Sequence, residues 1–121
     1  MHEMSLAAAI LEQLEKLTRD HPGKRITRVR LAWGELQQIN EYALHEALKL
    51  ITEDGPMKGV ELDLHVEPAR GRCTGCGEPY DLVDGEQGCP TCGGRQVELL
   101  PDKPLTLEQI ELTDEAERET A

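Results

Sequence analysis

Cys73-Thr74-Gly75-Cys76-Gly77 and Cys89-Pro90-Thr91-Cys92-Gly93 decide how this chain of 121 residues is organised. Each is a knuckle in which two intervening residues let both sulfurs reach one ion at about 2.3 Å while backbone amides donate to them. Gly77 and Gly93 stand where the turn after the second cysteine favours positive φ. Twelve residues separate the pairs, enough for a short hairpin through Asp84-Gly85. Four thiolates in a tetrahedron select zinc, or iron of the rubredoxin type. Cys73, Cys76, Cys89 and Cys92 are therefore candidate metal ligands. Four protein sulfurs leave no open coordination position, so the site reads as structural. Reduced thiols or paired redox motifs are the alternative, and the doubled spacing disfavours them.

Outward from the knuckles, the Gly- and Cys-rich segment runs over 70–104 and is bounded by Pro68 on one side and the turn Pro101-Asp102-Lys103-Pro104 on the other. Upstream, Val60 to Val66 alternates, with Val60, Leu62, Leu64 and Val66 inward and Glu61, Asp63 and His65 outward. Ile26 to Trp33 reads as another strand, with Val29, Leu31 and Trp33 on one face and Arg28 and Arg30 on the other. Two helices complete the unit. Ser5 is the expected cap of the first, which runs to about Asp20 with Leu6, Ile10, Leu14 and Leu17 at helical spacing and stops at His21-Pro22-Gly23. Asn40 is the expected cap of the second, from Glu41 to about Glu53, with Leu44, Ala47, Leu48 and Ile51 as its buried stripe. Leu105 to Leu112 reads as a last strand whose apolar phase slips between Leu107 and Ile110, suggesting a bulge.

The expected fold class is α+β: a small mixed sheet with two helices, plus an inserted four-cysteine zinc-ribbon lobe. The expected domains are 1–69 with 105–112, and 70–104, followed by an acidic, partly disordered tail at 113–121.

Composition narrows the function. One Trp, two Tyr and no Phe leave the core to aliphatic residues, so a structural metal is useful as a staple. A formal charge of −11 repels phosphate backbones and argues against nucleic-acid binding. Zinc on four thiolates changes this little, leaving about −2 at the site. A protein partner fits better. No stretch reaches the roughly eighteen apolar residues of a membrane span, and a secretory leader pattern is missing, which points to a cytoplasmic protein. No nucleophile–base pair suggests an enzyme.

Met1-His2-Glu3 is the second candidate site. Read at a free terminus, the α-amine, the His2 amide nitrogen and the His2 imidazole close fused chelate rings. Such near-coplanar nitrogens suit Ni(II) or Cu(II), and Glu3 offers an amide nitrogen or a carboxylate as a fourth donor. The amine and imidazole must be neutral to bind, so affinity is expected to fall from about pH 8 to pH 6. His21, His45 and His65 read as surface or packing residues. Glu35, Asn40 and Glu41 read as loop and cap residues that reach the amino terminus only if their elements pack beside it.

Taken in order, Met1-His2-Glu3-Met4-Ser5, the segment Arg28 to Leu36 and the two cysteine knuckles resemble the HypA/HybF family of [NiFe]-hydrogenase maturation proteins over about residues 1–112. The resemblance implies a nickel metallochaperone, not an enzyme. Met1, His2 and Glu3 would carry the delivered nickel, and Cys73, Cys76, Cys89 and Cys92 would hold structural zinc. It further implies work with the nickel-binding GTPase HypB and the hydrogenase large subunit, some members also serving urease, and it allows a homodimer. Where several relatives carry an acidic residue near the second helix, this chain has Asn40 followed by Glu41. The competing reading is a zinc-ribbon protein-interaction module without nickel delivery.

Overall fold

The structure, a computed structural model, describes residues 2–85 and 87–114. Its elements run α1 (Glu3–Asp20), β1 (Lys24–Gly34), a 3-10 turn (Glu35–Gln37), α2 (Glu41–Thr52), β2 (Glu61–Glu67), β3 (Arg70–Cys73), β4 (Pro79–Asp81), β5 (Val97–Leu99) and β6 (Thr106–Asp114). The strands form two three-stranded sheets, ordered β2-β1-β6 and β4-β3-β5. All of β3, β4 and β5 lies between β2 and β6 in sequence, so the second sheet is an insertion into the first. Fold class is α+β, as expected.

The chain divides into two compact units. Of the described residues, one comprises 2–31, 39–65 and 106–114; the other comprises 32–38, 66–85 and 87–105. In the first, α1 packs on α2, and Ala7, Ile10 and Leu14 join Leu44, Ala47, Leu48, Ile26, Val29 and Leu31 in the buried aliphatic set. Side-chain pairings give the strand directions. Arg25 donates to the Lys58 carbonyl, and Arg28 and Arg30 to Asp63, so β1 and β2 ascend together with α2 as the crossover. Lys24 pairs with Asp114, Arg28 with Glu111 and Arg30 with Glu108, so β6 runs antiparallel to β1. The arginines thus form an ion-paired ladder on the sheet. Asp63 is held below the usual carboxylate range by the hydrogen bond from Arg30.

Several boundaries differ from expectation for identifiable reasons. Helix α1 begins at Glu3 and not after Ser5. His2 is its extended N-cap (φ −93°, ψ 95°), and the His2 carbonyl accepts from Leu6 N at 3.1 Å. An acidic residue in the first turn suits the positive end of the helix dipole. Asn40 caps α2 as expected, its Oδ1 accepting from Ala43 N at 2.9 Å. In the buried stripe of α2, Ile51 is only half-buried and Thr52 takes its place, its hydroxyl satisfied by the Leu48 carbonyl at 2.8 Å. Leu62, Leu64 and Val66 are half-buried because β2 is an edge strand. Strand β6 runs to Asp114, two residues beyond Leu112, and Lys24 pairs with Asp114 at 2.7 Å. Residues 115–121 of the acidic tail lie outside the described residues.

The second unit is a knuckle-and-strand lobe. Strand β3 pairs antiparallel with β4 and with β5, with Gly71 opposite both Tyr80 and Leu99. Among the described residues no pair of strands is joined by the hairpin expected through Asp84-Gly85. The first knuckle itself is the hairpin turn joining β3 to β4, and Asp84 and Gly85 form a turn on the Asp81 carbonyl (2.9 and 3.1 Å) that leads into the second knuckle.

Candidate metal centres

The sulfur cluster is assembled from local turns. Gly77 N donates to the Cys73 carbonyl at 2.8 Å and Gly93 N to the Cys89 carbonyl at 2.7 Å. Each glycine has positive φ, 80° and 77°, as the spacing predicts. These turns fold each cysteine pair back on itself, and the strands bring the pairs together. The four Sγ atoms all lie within 4.8 Å of one another. Cys73 and Cys92 sulfurs are 3.5 Å apart, and those of Cys76 and Cys89 are 3.6 Å apart. A tetrahedral ion with sulfurs at 2.3 Å requires edges of about 3.8 Å. The cluster therefore fits one tetrahedral thiolate-bound ion with little adjustment.

The site has an inner and an outer side. Cys73 and Cys89 are buried, while Cys76 and Cys92 are exposed. Tyr80 and Leu82 pack against the buried pair. Nothing in the sequence marked Tyr80 for this role; its position three residues after Gly77 was the only available signal. Beneath the Tyr80 ring lies Gly85, where any Cβ would collide with it.

Proton affinities divide the four sulfurs. The Cys92 amide, with that of Thr91, favours the Cys89 thiolate against the cost of burial and brings it down to about 6. The amides of Cys76 and Gly75 lower Cys73. For Cys76, the Glu78 amide favours the thiolate, but burial and the neighbouring sulfurs outweigh it and push the thiol up to about 12. Cys92 is also raised; the amide of Gly94 opposes the shift and the Cys73 sulfur drives it. Burial raises Tyr80, and the adjacent sulfurs add to it. The arrangement favours metal: amide donors are already aimed at thiolates, and a dication would displace protons from sulfurs that crowd one another.

At the other candidate centre, Met1 lies outside the described residues. His2 is exposed at the start of α1, and Glu3 sits in the first turn. The first amides of a helix have no intrahelical acceptor. Glu3 Oε2 accepts from the Asn40 backbone N–H at 3.1 Å, and this bond holds the Glu3 carboxyl below its usual range. Asn40 therefore does reach the amino-terminal end. Glu35 does not act there: its Oε1 accepts from Ala69 N at 2.7 Å. Glu41 is exposed in the first turn of α2. His21 bonds the Leu17 carbonyl at 2.9 Å, His45 stands 3.8 Å from Glu46, and His65 is exposed. Among the described residues only the cysteines form a group of three or more potential ligand atoms.

Fold and sulfur cluster together define a small α+β metal-binding protein with an inserted four-cysteine lobe. Comparison with known proteins gives the family. Residues 1–112 match the family model described as "Hydrogenase/urease nickel incorporation, metallochaperone, hypA". The chain is 32% identical over 114 residues to the hydrogenase maturation factor HypA of Azoarcus sp. (strain BH72), covering 94% of this chain and all of that one. It is 35% identical over 102 residues to the HypA of Paracoccus denitrificans, covering 84% and 88%. The solution structure of the Ni metallochaperone HypA from Helicobacter pylori shares the fold, with a TM-score of 0.61 at 21% identity over 95% of this chain and 100% of that one. The chain belongs to the HypA family. No helix among the described residues is long and apolar enough to cross a membrane.

Proposed function

We propose that this protein carries Ni(II) at its amino terminus and delivers it for [NiFe]-hydrogenase maturation, holding Zn(II) as a structural ion on Cys73, Cys76, Cys89 and Cys92. Nickel is cargo here and zinc is resident. The carrying set is the Met1 amine, the His2 amide and the His2 imidazole. The Glu3 carboxylate is already engaged by Asn40, which favours the Glu3 amide nitrogen as the fourth donor. The division of labour follows the domains read from sequence, nickel on 1–69 with 105–112 and zinc on 70–104. The protein acts in the cytoplasm without turnover, with the GTPase HypB and the hydrogenase large subunit as partners.

The observation that carries this reading is the family match over residues 1–112, which includes both Met1-His2-Glu3 and all four cysteines. Site chemistry supports it. A thiolate cage partly closed by Tyr80 suits retention, whereas an exposed nitrogen chelate at a helix start suits stepwise ligand exchange with a partner. Nickel titration of the zinc-loaded protein beside His2→Ala tests it. The variant should keep its zinc and lose at least about tenfold in nickel affinity, or ~1.4 kcal/mol. Equal nickel affinity would remove the terminal site and leave the zinc-ribbon interaction module.

A further inference from the structure

We propose that the groove running from His2 along α2 is a docking site for a basic amphipathic helix of a partner protein. This rests on the proposed delivery function and adds to it the surface on which exchange takes place. The groove has a volume of about 630 Å³, and its walls include His2, Met4, Ala43, Glu46, Ala47 and Leu50. Ala43, Ala47 and Leu50 recur at i, i+4 and i+7 on α2, so they form a stripe about 10 Å long on one helix face. That is the anchor spacing by which one helix reads another.

Three features favour a helix as the occupant. The two alanines form a shallow floor that lets a second backbone approach closely. Leu50 and Met4 stand at the sides, 59% and 48% exposed although both are large and apolar. Methionine is also an adaptable contact for a foreign side chain. The charge of the occupant follows from the rim. Glu46 is half-exposed there and Glu3 lines the same groove, in a chain of net charge −11. Lys or Arg flanking an aliphatic stripe would meet these carboxylates, whereas an acidic helix would be repelled. A second copy of this chain brings the same acids and is disfavoured for that reason. A helix seated here lies beside His2, which places donors carried on it next to the proposed nickel ligands.

The test uses the full-length, zinc-loaded protein and a synthetic fourteen-residue helical peptide with leucines at i, i+4 and i+7 flanked by lysines, followed by amide chemical-shift mapping. Shifts should concentrate at Met4, Ala43, Ala47 and Leu50, and a peptide with glutamates in place of the lysines should bind roughly tenfold more weakly or worse. Leu50→Lys, a change at an exposed position, should abolish binding; Glu46→Gln should weaken it. Nickel affinity is measured on the same Leu50→Lys sample and should equal that of the parent, so loss of docking and failure of the nickel reading are separable. Absence of binding, shifts centred on Val97 and Leu99 of β5, or equal binding of the acidic peptide would each overturn the proposal. So would a concentration-dependent dimer of the parent that Leu50→Lys dissociates, because the groove would then be filled by a second copy.

Discussion

Asn40 joins the two helices at the amino-terminal end of α1, and replacing it separates two effects that the structure places on one residue. Its side-chain Oδ1 caps α2 through Ala43 N at 2.9 Å, while its backbone N–H donates to Glu3 Oε2 at 3.1 Å. Asn40→Ala removes the cap and leaves the backbone donor. Loss of such a cap costs about 1 kcal/mol, in a range of roughly 0.5–2. For a cooperative unit of about 60–100 residues this lowers Tm by about 4–8 °C. Asn40→Ser restores an acceptor oxygen and should recover most of the loss, and Asn40→Gly should cost only a few tenths of a kcal/mol. The assay is thermal unfolding followed by helix ellipticity with zinc in excess, so that metal loss from the cysteine lobe does not set the transition. A serine variant as unstable as the alanine variant, or an alanine variant within about 1 °C of the parent, would show that the capping bond does not hold α2 in place.

Zinc uptake should release about two to three protons at pH 7.5, since Cys76, at about 12, and the raised Cys92 enter as thiols while Cys89, at about 6, is already a thiolate; calorimetry in buffers of different ionisation enthalpy counts them, and release of four would contradict that proton distribution. Glu3 titrates below its ordinary value because of the Asn40 amide, so the stability it contributes is present above about pH 4.5 and is lost as pH falls through the lowered value. Glu3→Gln should remove that part of the acid sensitivity, seen as a flatter unfolding midpoint against pH below about 4.5. Leu44→Ala empties a fully buried position between α2 and its neighbours and should cost about 2–5 kcal/mol in chemical denaturation; a loss below about 1 kcal/mol would mean this core is not close-packed. Gly85→Val forces a side chain into the Tyr80 ring, and should speed zinc transfer to a chromogenic chelator while leaving the helix content unchanged.

What was legible in the sequence is what is encoded locally. The cysteine knuckles, the positive-φ glycines after them and the Asn40 cap each depend on residues within five positions of one another. Alternation in β1 and the central positions of both helix stripes report burial, whereas the edge strand β2, Leu6, Leu17 and Ile51 are only half-buried. Other features depend on contacts between residues far apart in sequence. The start of α1 was misplaced because its terminus is fastened through Glu3 to Asn40, 37 residues away. Glu35 was read as a loop residue without a partner because nothing marks Ala69 N, 34 residues on, as its donor. Likewise the turn at Asp84-Gly85 looked like a hairpin, although β4 had already paired backward with β3 through the first knuckle. Tyr80 escaped notice because an aromatic beside a thiolate cluster is recognised only once the lobe is folded.

The direct measurement is a comparison of nickel affinity in two zinc-loaded proteins that differ only by Gly-Ser placed before Met1. In the proposed site, moving the amine away from His2 would break the fused chelate rings. Tight nickel binding should vanish in the extended protein while its zinc content stays the same. Equal nickel affinity in the two, or nickel found only on the cysteine sulfurs by X-ray absorption, would contradict a terminal nitrogen site.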